Sequence, residues 1–164
     1  MDLTDVEIVR AGPERIPDLQ PLWRSLHEHH MAVAQPSHAE GRSGDESWAR
    51  RRRSYERWLA EPGAFALIAQ RAGRPVGYAV VRLVEGSQSW GTADRIAELE
   101  TLALLPDARG SGIGTRLMDA VSDQLAELGI RDLSVAVAAG NEDALRFYER
   151  RGLVVTLHHL LGPA

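Results

Sequence analysis

The chain has 164 residues, no cysteine and 19 basic side chains, all of them arginine. It therefore offers no lysine for a Schiff base or a P-loop, and no thiol for nucleophilic catalysis, a disulfide or a thiolate metal site. A net charge of −4 gives no general reason to expect a polyanionic partner such as DNA. The content of 44% hydrophobic and 26% charged residues is typical of a folded chain, and we expect one domain over residues 1–164.

The first residues, MDLTDVEIVR, carry acids where a signal peptide has basic residues followed by an apolar stretch. No segment holds the run of about 20 apolar residues that crosses a bilayer. We therefore expect a cytoplasmic protein with no membrane partner.

The first third of the chain predicts one strand and two helices. Residues 5–11 alternate as in a strand. Apolar residues then recur at helical spacing from Ile16, but Pro17 and Pro21 fit only in a first turn, so the start of this helix stays open. Residues 35–47 predict a loop that ends at an N-cap just before Glu46 or Trp48. A second helix follows to about Ala60.

The rest of the chain predicts strands, then helices alternating with strands. Residues 64–70 and 75–85 form a predicted hairpin, and residues 95–105 resume as a strand. An apolar stripe predicts a helix from Ile113 to Gly129, followed by a strand over 133–137. Asn141 is a good N-cap for a helix that Gly152 ends, and residues 153–161 predict a last strand. This order indicates one α+β domain.

The most informative segment runs from the strand at 95–105 into a turn with glycines at 110, 112 and 114, directly before a helix. Glycines let backbone approach a ligand closely, and free N–H groups at a helix N-terminus bind phosphate. The residues alone thus predict an anion cradle over 109–115. The missing lysine excludes a P-loop, and the glycine spacing and position do not fit a dinucleotide fold.

Two blocks of sequence resemble one family. The first, Arg109-Gly110-x-Gly112-Ile113-Gly114, is similar to the Q/R-x-x-G-x-G/A signature of the GCN5-related N-acetyltransferases (GNATs). The second, from Asn141 to Leu153, is similar to the family's N-x-x-A-x-x-F-Y-x-x-x-G-F element, with Leu153 in place of the usual aromatic residue. The resemblance implies the GNAT fold, a mixed and mainly antiparallel sheet flanked by helices.

The resemblance also implies the cosubstrate acetyl-coenzyme A and the residues that hold it. Its pyrophosphate would lie on the N–H groups of the cradle, and its pantetheine arm between two parallel strands that separate near Leu104 and Val137. The Leu104 N–H would polarise the thioester carbonyl. The cofactor-binding residues are then Leu102, Ala103, Leu104, Arg109, Gly110, Ser111, Gly112, Ile113, Gly114, Thr115, Asn141, Ala144, Phe147 and Tyr148.

Acetyl transfer to an amine needs two proton transfers, because an alkyl amine with a pKa of about 10.4 arrives protonated. The family often uses a carboxylate on the strand before the cradle as the base. Strand alternation predicts Glu98 and Glu100 on one face together with Leu102 and Leu104. We favour Glu100 as the base, with Glu98 second. Tyr148 matches the family tyrosine that protonates the departing thiolate.

The expected reaction is direct attack by a primary amine in a ternary complex. The alternative is a coenzyme A-binding module without transfer activity. The acceptor's identity stays open, from polyamines and amino acids to aminoglycosides and protein amines. The family also implies dimers through C-terminal strands, so a homodimer is one expected state.

Two further clusters, one of histidines and one of arginines, do not predict a specific binding site. His27, His29 and His30 lie close on the first helix, with His38 nearby, but no third ligand follows at a diagnostic spacing, so we expect no metal. Contact with the acceptor is the better hypothesis for them. The run Arg50 to Arg53 beside tryptophans would suit nucleic acid, but consecutive helical residues point in all directions, and we expect no nucleic-acid partner.

Overall fold

The structure is a computed structural model that describes residues 5–34 and 39–163. Its nine main elements are β1 (Val6–Ala11), α1 (Gln20–Val33), α2 (Gly44–Trp58), β2 (Phe65–Arg71), β3 (Arg74–Glu85), β4 (Arg95–Leu104), α3 (Ile113–Glu127), β5 (Leu133–Val135) and α4 (Glu142–Glu149). Across these described ranges, no helix has the length and apolar character needed to span a membrane.

The five strands form one sheet in the order β1-β2-β3-β4-β5. Neighbouring strands run antiparallel, except that β4 and β5 are parallel. The predicted mixed, mainly antiparallel sheet flanked by helices is therefore confirmed. The strand β4 leads into the glycine turn, and its parallel partner β5 pairs only with the first half of β4, at Ala97 to Leu99.

Two apolar cores cover the two faces of the sheet. The apolar stripe of α3, including Ile113, Leu117 and Val121, packs on one face. The other face is covered by α1, α2 and the turn before them, with Trp23, Trp48 and Tyr55 buried against the sheet. Each face of the sheet thus has its own helical layer. The core in which a strand side chain packs therefore shows which face of the sheet that side chain occupies.

Strand β4 carries one extra residue at Glu100. Val80 of β3 pairs with Thr101 and Val81 pairs with Leu99, so Glu100 has no partner across the ladder. Such a bulge interrupts the alternation of side chains. The prediction that Glu98 and Glu100 share a face with Leu102 and Leu104 is therefore wrong: both leucines pack in the α3 core, whereas Glu100 contacts arginines on the α1 and α2 side.

The chain between β1 and β2 differs in detail from its sequence-based prediction. A 3-10 helix over Pro13–Leu19 contains Pro17, and α1 begins only at Gln20. Helix α2 begins earlier than predicted, because Ser43 is the N-cap and forms a capping box with Glu46. Of the predicted loop over 35–47, residues 35–38 lie outside the described residues.

The predicted last strand is absent from the described part of the tail. Residues 153–161 have no strand pairing, and their apolar side chains are largely exposed, with Leu157 at 81% and Leu160 at 88%. The residue pattern is strand-like, but β5 is only three residues long and its free edge carries no partner strand within residues 39–163. The prediction of a sixth strand is therefore wrong for this structure.

A buried hydroxyl network joins α2 to the sheet. The Tyr55 hydroxyl lies 2.9 Å from that of Tyr78 and 2.7 Å from that of Thr101, and both tyrosine side chains are fully buried. Burial raises the pKa of Tyr55 to about 12, so this hydroxyl stays protonated. Because Thr101 follows the bulge directly, the network anchors β4 next to Glu100.

Replacement Tyr55→Phe should lower the free energy of unfolding by about 1–3 kcal/mol, because it strips a shared partner from two buried hydroxyls. Urea denaturation followed by circular dichroism measures this. Tyr148→Phe is the matched control, since its hydroxyl has no hydrogen bond to any described residue. Equal stability of the two variants would contradict the proposed anchoring.

Candidate functional site

A gap opens between β4 and β5 beyond their short ladder. The strands pair only at Ala97, Glu98 and Leu99, opposite residues 133–135, while β4 continues to Leu104. The predicted separation of two parallel strands is present. It begins earlier than expected, because β5 ends at Val135 and not near Val137.

The backbone of Leu104 faces this gap. The next residue, Leu105, donates its N–H to the Val76 carbonyl on β3 at 2.9 Å, and backbone groups of neighbouring strand residues point to opposite edges. The Leu104 carbonyl accordingly turns the other way and accepts a hydrogen bond from Arg109 Nε at 3.4 Å. By the same alternation, Leu102 also presents its backbone to the open edge, where an extended ligand can pair with it.

The predicted cradle forms a tight turn into α3. Gly110 and Gly112 have left-handed φ values of 69° and 86°, which strongly favour glycine. The first hydrogen bond of the helix is donated by Arg116 to Gly112, so the N–H groups of residues 113–115 precede it and have no intrahelical acceptor. Gly112 makes no side-chain cap. The turn therefore presents several donors at the positive end of a 15-residue helix.

The members of the cradle contribute in different ways. Ile113 is buried, so it can offer a ligand only its backbone. Ala103 is also buried, in the α1 and α2 core, and its backbone faces Tyr78 on β3, so neither its side chain nor its backbone borders the gap. The Ser111 hydroxyl donates a hydrogen bond to the Ala108 carbonyl at 2.6 Å and so stabilises the turn. A Cβ at Gly114 would lie 3.3 Å from Leu104 Cδ1 and 3.8 Å from Phe147. The third glycine therefore lets α3 approach β4 and α4 closely.

Helix α4 closes the site from the far side of the gap. Asn141 is its N-cap and accepts the Ala144 N–H at 3.3 Å, as predicted. The rings of Phe147 and Tyr148 meet edge to face at 5.2 Å between centroids. Ala144, Phe147 and Tyr148 pack on the same core as α3, so the structure brings both sequence blocks together around the end of β4.

The Tyr148 side chain is suited to remain a proton donor. It is 7% exposed, and burial raises its pKa to about 12. The hydroxyl has no hydrogen-bond partner in the described parts of the chain, and it is not sealed from solvent. It can therefore donate to an incoming group without first breaking an internal bond.

The Glu100 carboxylate lies on the opposite face of β4, in a partly buried cluster of charges. Its two oxygens lie 3.2 Å from Arg82 Nη1 and 4.0 Å from Arg51 Nη1. Burial raises the pKa of Glu100, the hydrogen bond from Arg82 opposes that rise, and the charge of Glu98 adds to it. The raised pKa makes the carboxylate a stronger base than an exposed glutamate. Glu98 lies two residues earlier, opposite Arg82 in the ladder.

The sequence alone does not identify Arg82 and Arg51 as the partners of Glu100. Arg82 also binds Glu61 at 3.1 Å, and Arg51 lies over the Trp23 ring at 4.3 Å. One signal was available for Arg82, a charge in an otherwise apolar strand. Arg51 could not be separated from its three arginine neighbours, because the run alone does not show which member faces the sheet.

The model of the Acetyltransferase (GNAT) family matches residues 23–153, which include both sequence blocks and all of the gap. The chain belongs to this family. The resemblance of the two blocks is thereby confirmed, and so is the fold it implied. The match includes all of α2 and all of α1 except its first three residues, so the layer that carries Arg51 belongs to the family domain.

Comparisons with individual proteins agree. An uncharacterized N-acetyltransferase of Mycobacterium bovis is 34% identical over 101 residues, which span 62% of this chain and 60% of the relative. The match thus covers less than two thirds of that relative's length. A GCN5-related N-acetyltransferase from Ralstonia eutropha superposes with a TM-score of 0.77 at 17% identity, covering 96% of this chain and 98% of its own. At that identity the likeness shows the fold alone.

A second solved structure contains a ligand. Aminoglycoside N-acetyltransferase AAC(6')-Iy in complex with CoA superposes with a TM-score of 0.72 at 17% identity, over 97% of this chain and 94% of its own. This neighbour likewise shows that the GNAT fold extends over nearly the whole chain.

The histidine cluster of α1 reaches the site by one contact. His29 Nε2 lies 3.4 Å from Asn141 Oδ1, whereas His27 bonds the Arg42 carbonyl at 2.9 Å. Burial lowers the pKa of His30, and its charged neighbours lower it further. Residues 5–34 and 39–163 contain no group of three or more metal-ligating side chains, and His38 lies outside them. The contact between His29 and Asn141 therefore links this GNAT domain's first helix to α4.

Replacement Arg82→Gln should raise the pKa of Glu100 further, because it removes the hydrogen bond that favours the charged carboxylate. Carboxyl 13C NMR titration measures the shift directly. Arg52→Gln is the control, since Arg52 pairs with the exposed Glu56 and should leave Glu100 unchanged. If the pKa of Glu100 is unchanged or lower in Arg82→Gln, the hydrogen bond from Arg82 does not oppose the effect of burial.

Proposed function

We propose that residues 1–164 act as a single acetyl-CoA-dependent N-acetyltransferase that moves the acetyl group to a primary amine by direct attack. The observation that carries this proposal is the gap beside the Leu104 backbone, with the free N–H groups of the glycine turn at one end and Tyr148 close by. Family membership supports the use of acetyl-CoA. The CoA complex of a protein with the same fold also supports the use of acetyl-CoA. The cytoplasmic location of this chain stays a prediction.

The binding residues fit this cosubstrate chemically. The N–H groups of residues 110–115 and the exposed Arg109 suit a pyrophosphate, since they combine fixed dipoles with a guanidinium. The open edge of Leu102 and Leu104 suits an amide-containing arm, which can pair as an added strand. A Cβ at Gly110 would meet no atom within 4 Å, so the cradle is open to a ligand.

In the reaction, Glu100 accepts a proton from the ammonium group of the acceptor, with Glu98 as the second candidate. The freed nitrogen lone pair attacks the thioester carbonyl carbon, while the Leu104 N–H donates to the carbonyl oxygen. Formation of the C–N bond and cleavage of the C–S bond leave a thiolate, to which Tyr148 gives its hydroxyl proton. The second amine proton then restores Tyr148 through solvent. One proton is released overall.

The placement of acid and base supports direct transfer. Glu100 faces the α1 and α2 layer, whereas Tyr148 packs with the α3 layer, so they reach the gap from opposite faces of the sheet. Glu100 can therefore deprotonate an amine that arrives on one side, while Tyr148 protonates the thiolate that leaves on the other. The chain has no cysteine, which excludes an acyl-enzyme through sulfur.

The cradle is tested by Gly110→Trp, which should abolish acetyl-CoA binding in calorimetry and free CoA release with a panel of amines. Gly129→Trp is a matched control at the other end of α3: its φ is 70° against 69°, and its Cβ would also meet no atom within 4 Å. Both variants carry the same backbone strain, so only the position differs. Equal affinity in both would overturn the cradle. Binding without CoA release from any amine would favour an inactive binding module.

The acid is tested by Tyr148→Phe, which should lower kcat by on the order of 10²-fold or more and leave acetyl-CoA affinity nearly unchanged. Steady-state release of free CoA measures kcat, and calorimetry measures the affinity. The loss should persist from neutral pH to pH 9, because a hydroxyl with a pKa of about 12 stays protonated throughout. Turnover equal to the wild type across this range would remove Tyr148 as the acid.

A further inference from the structure

A cleft of about 230 Å³ opens between α1 and α2, on the face of the sheet that carries Glu100. It is lined by two tryptophans, two serines and the arginines Arg42, Arg50 and Arg51. Pockets that hold drug-sized ligands have about 300–1,000 Å³. The cleft is therefore of a size for a small polar molecule or for one group of a larger one.

Helix geometry selects which arginines enter this cleft. Ser47, Arg50, Arg51, Ser54 and Trp58 line it and follow one another at spacings of one, three or four, so they share one side of α2. Of the remaining two arginines of the run, Arg52 pairs with Glu56 outside the cleft, and Arg53 does not line it. The run thus divides into two arginines that face the cleft and two that do not.

The positive charge of the cleft is only partly neutralised within residues 5–34 and 39–163, where Arg51 pairs with Glu100 at 4.0 Å. No acidic side chain lines it, and within those ranges neither Arg42 nor Arg50 forms an ion pair. The acids at the start of α2 are engaged elsewhere, Asp45 with Arg24 and Glu46 in the capping box. A cluster of guanidinium groups in a concave site attracts anions when it keeps a net positive charge.

Arg51 is held in a fixed position within this cluster. Its guanidinium lies over Trp23 at 4.3 Å, Trp58 at 5.4 Å and Tyr55 at 5.6 Å. Aromatic contacts on its faces leave its edges to make hydrogen bonds, and planar guanidinium edges match oxyanions in a bidentate way. Little conformational freedom is lost when such a group binds a ligand.

The same residue connects the cleft to the proposed base. Arg51 lies 4.0 Å from Glu100, and the Glu100 carboxylate is also bound by Arg82. A molecule whose anionic group occupies the cleft would therefore have its other end beside Glu100. An amine at that end would be placed where the proposed reaction needs it.

We propose that the acceptor of this enzyme is a primary amine that also carries an oxyanion, either a carboxylate or a phosphate. Arg42, Arg50 and Arg51 bind the oxyanion, and the amine lies toward Glu100. The proposal rests on the proposed function. It disfavours polycationic acceptors such as polyamines and aminoglycosides, because they would meet three like charges at close range.

The test compares amines that differ only in the anion. Amino acids in which a straight chain of increasing length separates the amine from the carboxylate are assayed against their carboxamides. Phosphoethanolamine is assayed against ethanolamine, and release of free CoA is the readout. We expect kcat/KM at least about tenfold higher for the best anionic amine than for its neutral partner, as expected for a hydrogen bond to a charged group. Arg42→Gln and Arg50→Gln should each reduce this ratio. Arg53→Gln, in the same helix but outside the cleft, should preserve it.

A ratio near one in the wild type, a ratio unaffected by Arg42→Gln and Arg50→Gln, or faster acetylation of spermidine than of every anionic amine would overturn the proposal. A binding measurement separates its failure from that of the proposed function. N-acetylglycine and acetyl phosphate are titrated by NMR into wild-type protein and the same variants. If no amine is acetylated, the transferase proposal fails, whereas Arg50-dependent binding of either anion still supports the cleft. Absence of such binding rejects it.

Discussion

The extra residue in β4 at Glu100 is the constraint on which the rest of the site depends. Without it, strict alternation would place Glu100 and Leu102 on the same face, and Glu100 could not share a side with the following Thr101. With it, Ala103 packs in the α1 and α2 core and Thr101 bonds the Tyr55 hydroxyl on the same side, while Leu102 and Leu104 pack against α3. The bulge therefore divides β4 into two parts. The first part carries Glu98 and Glu100, and the second part borders the gap with the backbone of Leu102 and Leu104.

The bulge also explains why the charges around Glu100 must be balanced. A carboxylate that is 14% exposed is costly to bury unless it is paired. Here Arg51 and Arg82 supply the compensating charge, and Arg82 is shared with a second acid, Glu61. The pairing is incomplete, because burial still raises the pKa of Glu100. A fully compensated carboxylate would be a poor proton acceptor, whereas the raised pKa of Glu100 suits it to its proposed role as the base.

Much of this structure was predictable from local sequence signals. The glycine turn, the apolar stripe of α3 and the Asn141 cap each depend on a few adjacent residues, and all three agree with the structure. The bulge was not predictable, because Glu100 differs in no local property from any other polar strand residue. It arises from the pairing of β4 with β3, which is a long-range property.

The other errors have the same origin. The tail over 153–161 has a strand-like composition, but a strand needs a partner edge, and composition does not report whether one is available. The roles of Arg51 and Arg82 were hidden for a related reason, since which arginine of a run is buried depends on how α2 packs on the sheet. The start of α2 is a different case, because the capping box of Ser43 and Glu46 is a local signal. The predicted helix start at Glu46 or Trp48 does not use it.

The absence of lysine has a different meaning once the site is described. Every side-chain cation near the proposed acetyl-transfer centre that carries a permanent charge is a guanidinium, which keeps its proton at all ordinary pH values and is a poor nucleophile. A lysine in place of Arg51 or Arg82 would present a primary amine beside a carboxylate base and a bound thioester, and it would compete with the acceptor. Arginine supplies the same charge with a planar group that stacks on Trp23 and Trp58. The chain can therefore surround the proposed amine-acetylating site with positive charge and offer that site no amine side chain of its own.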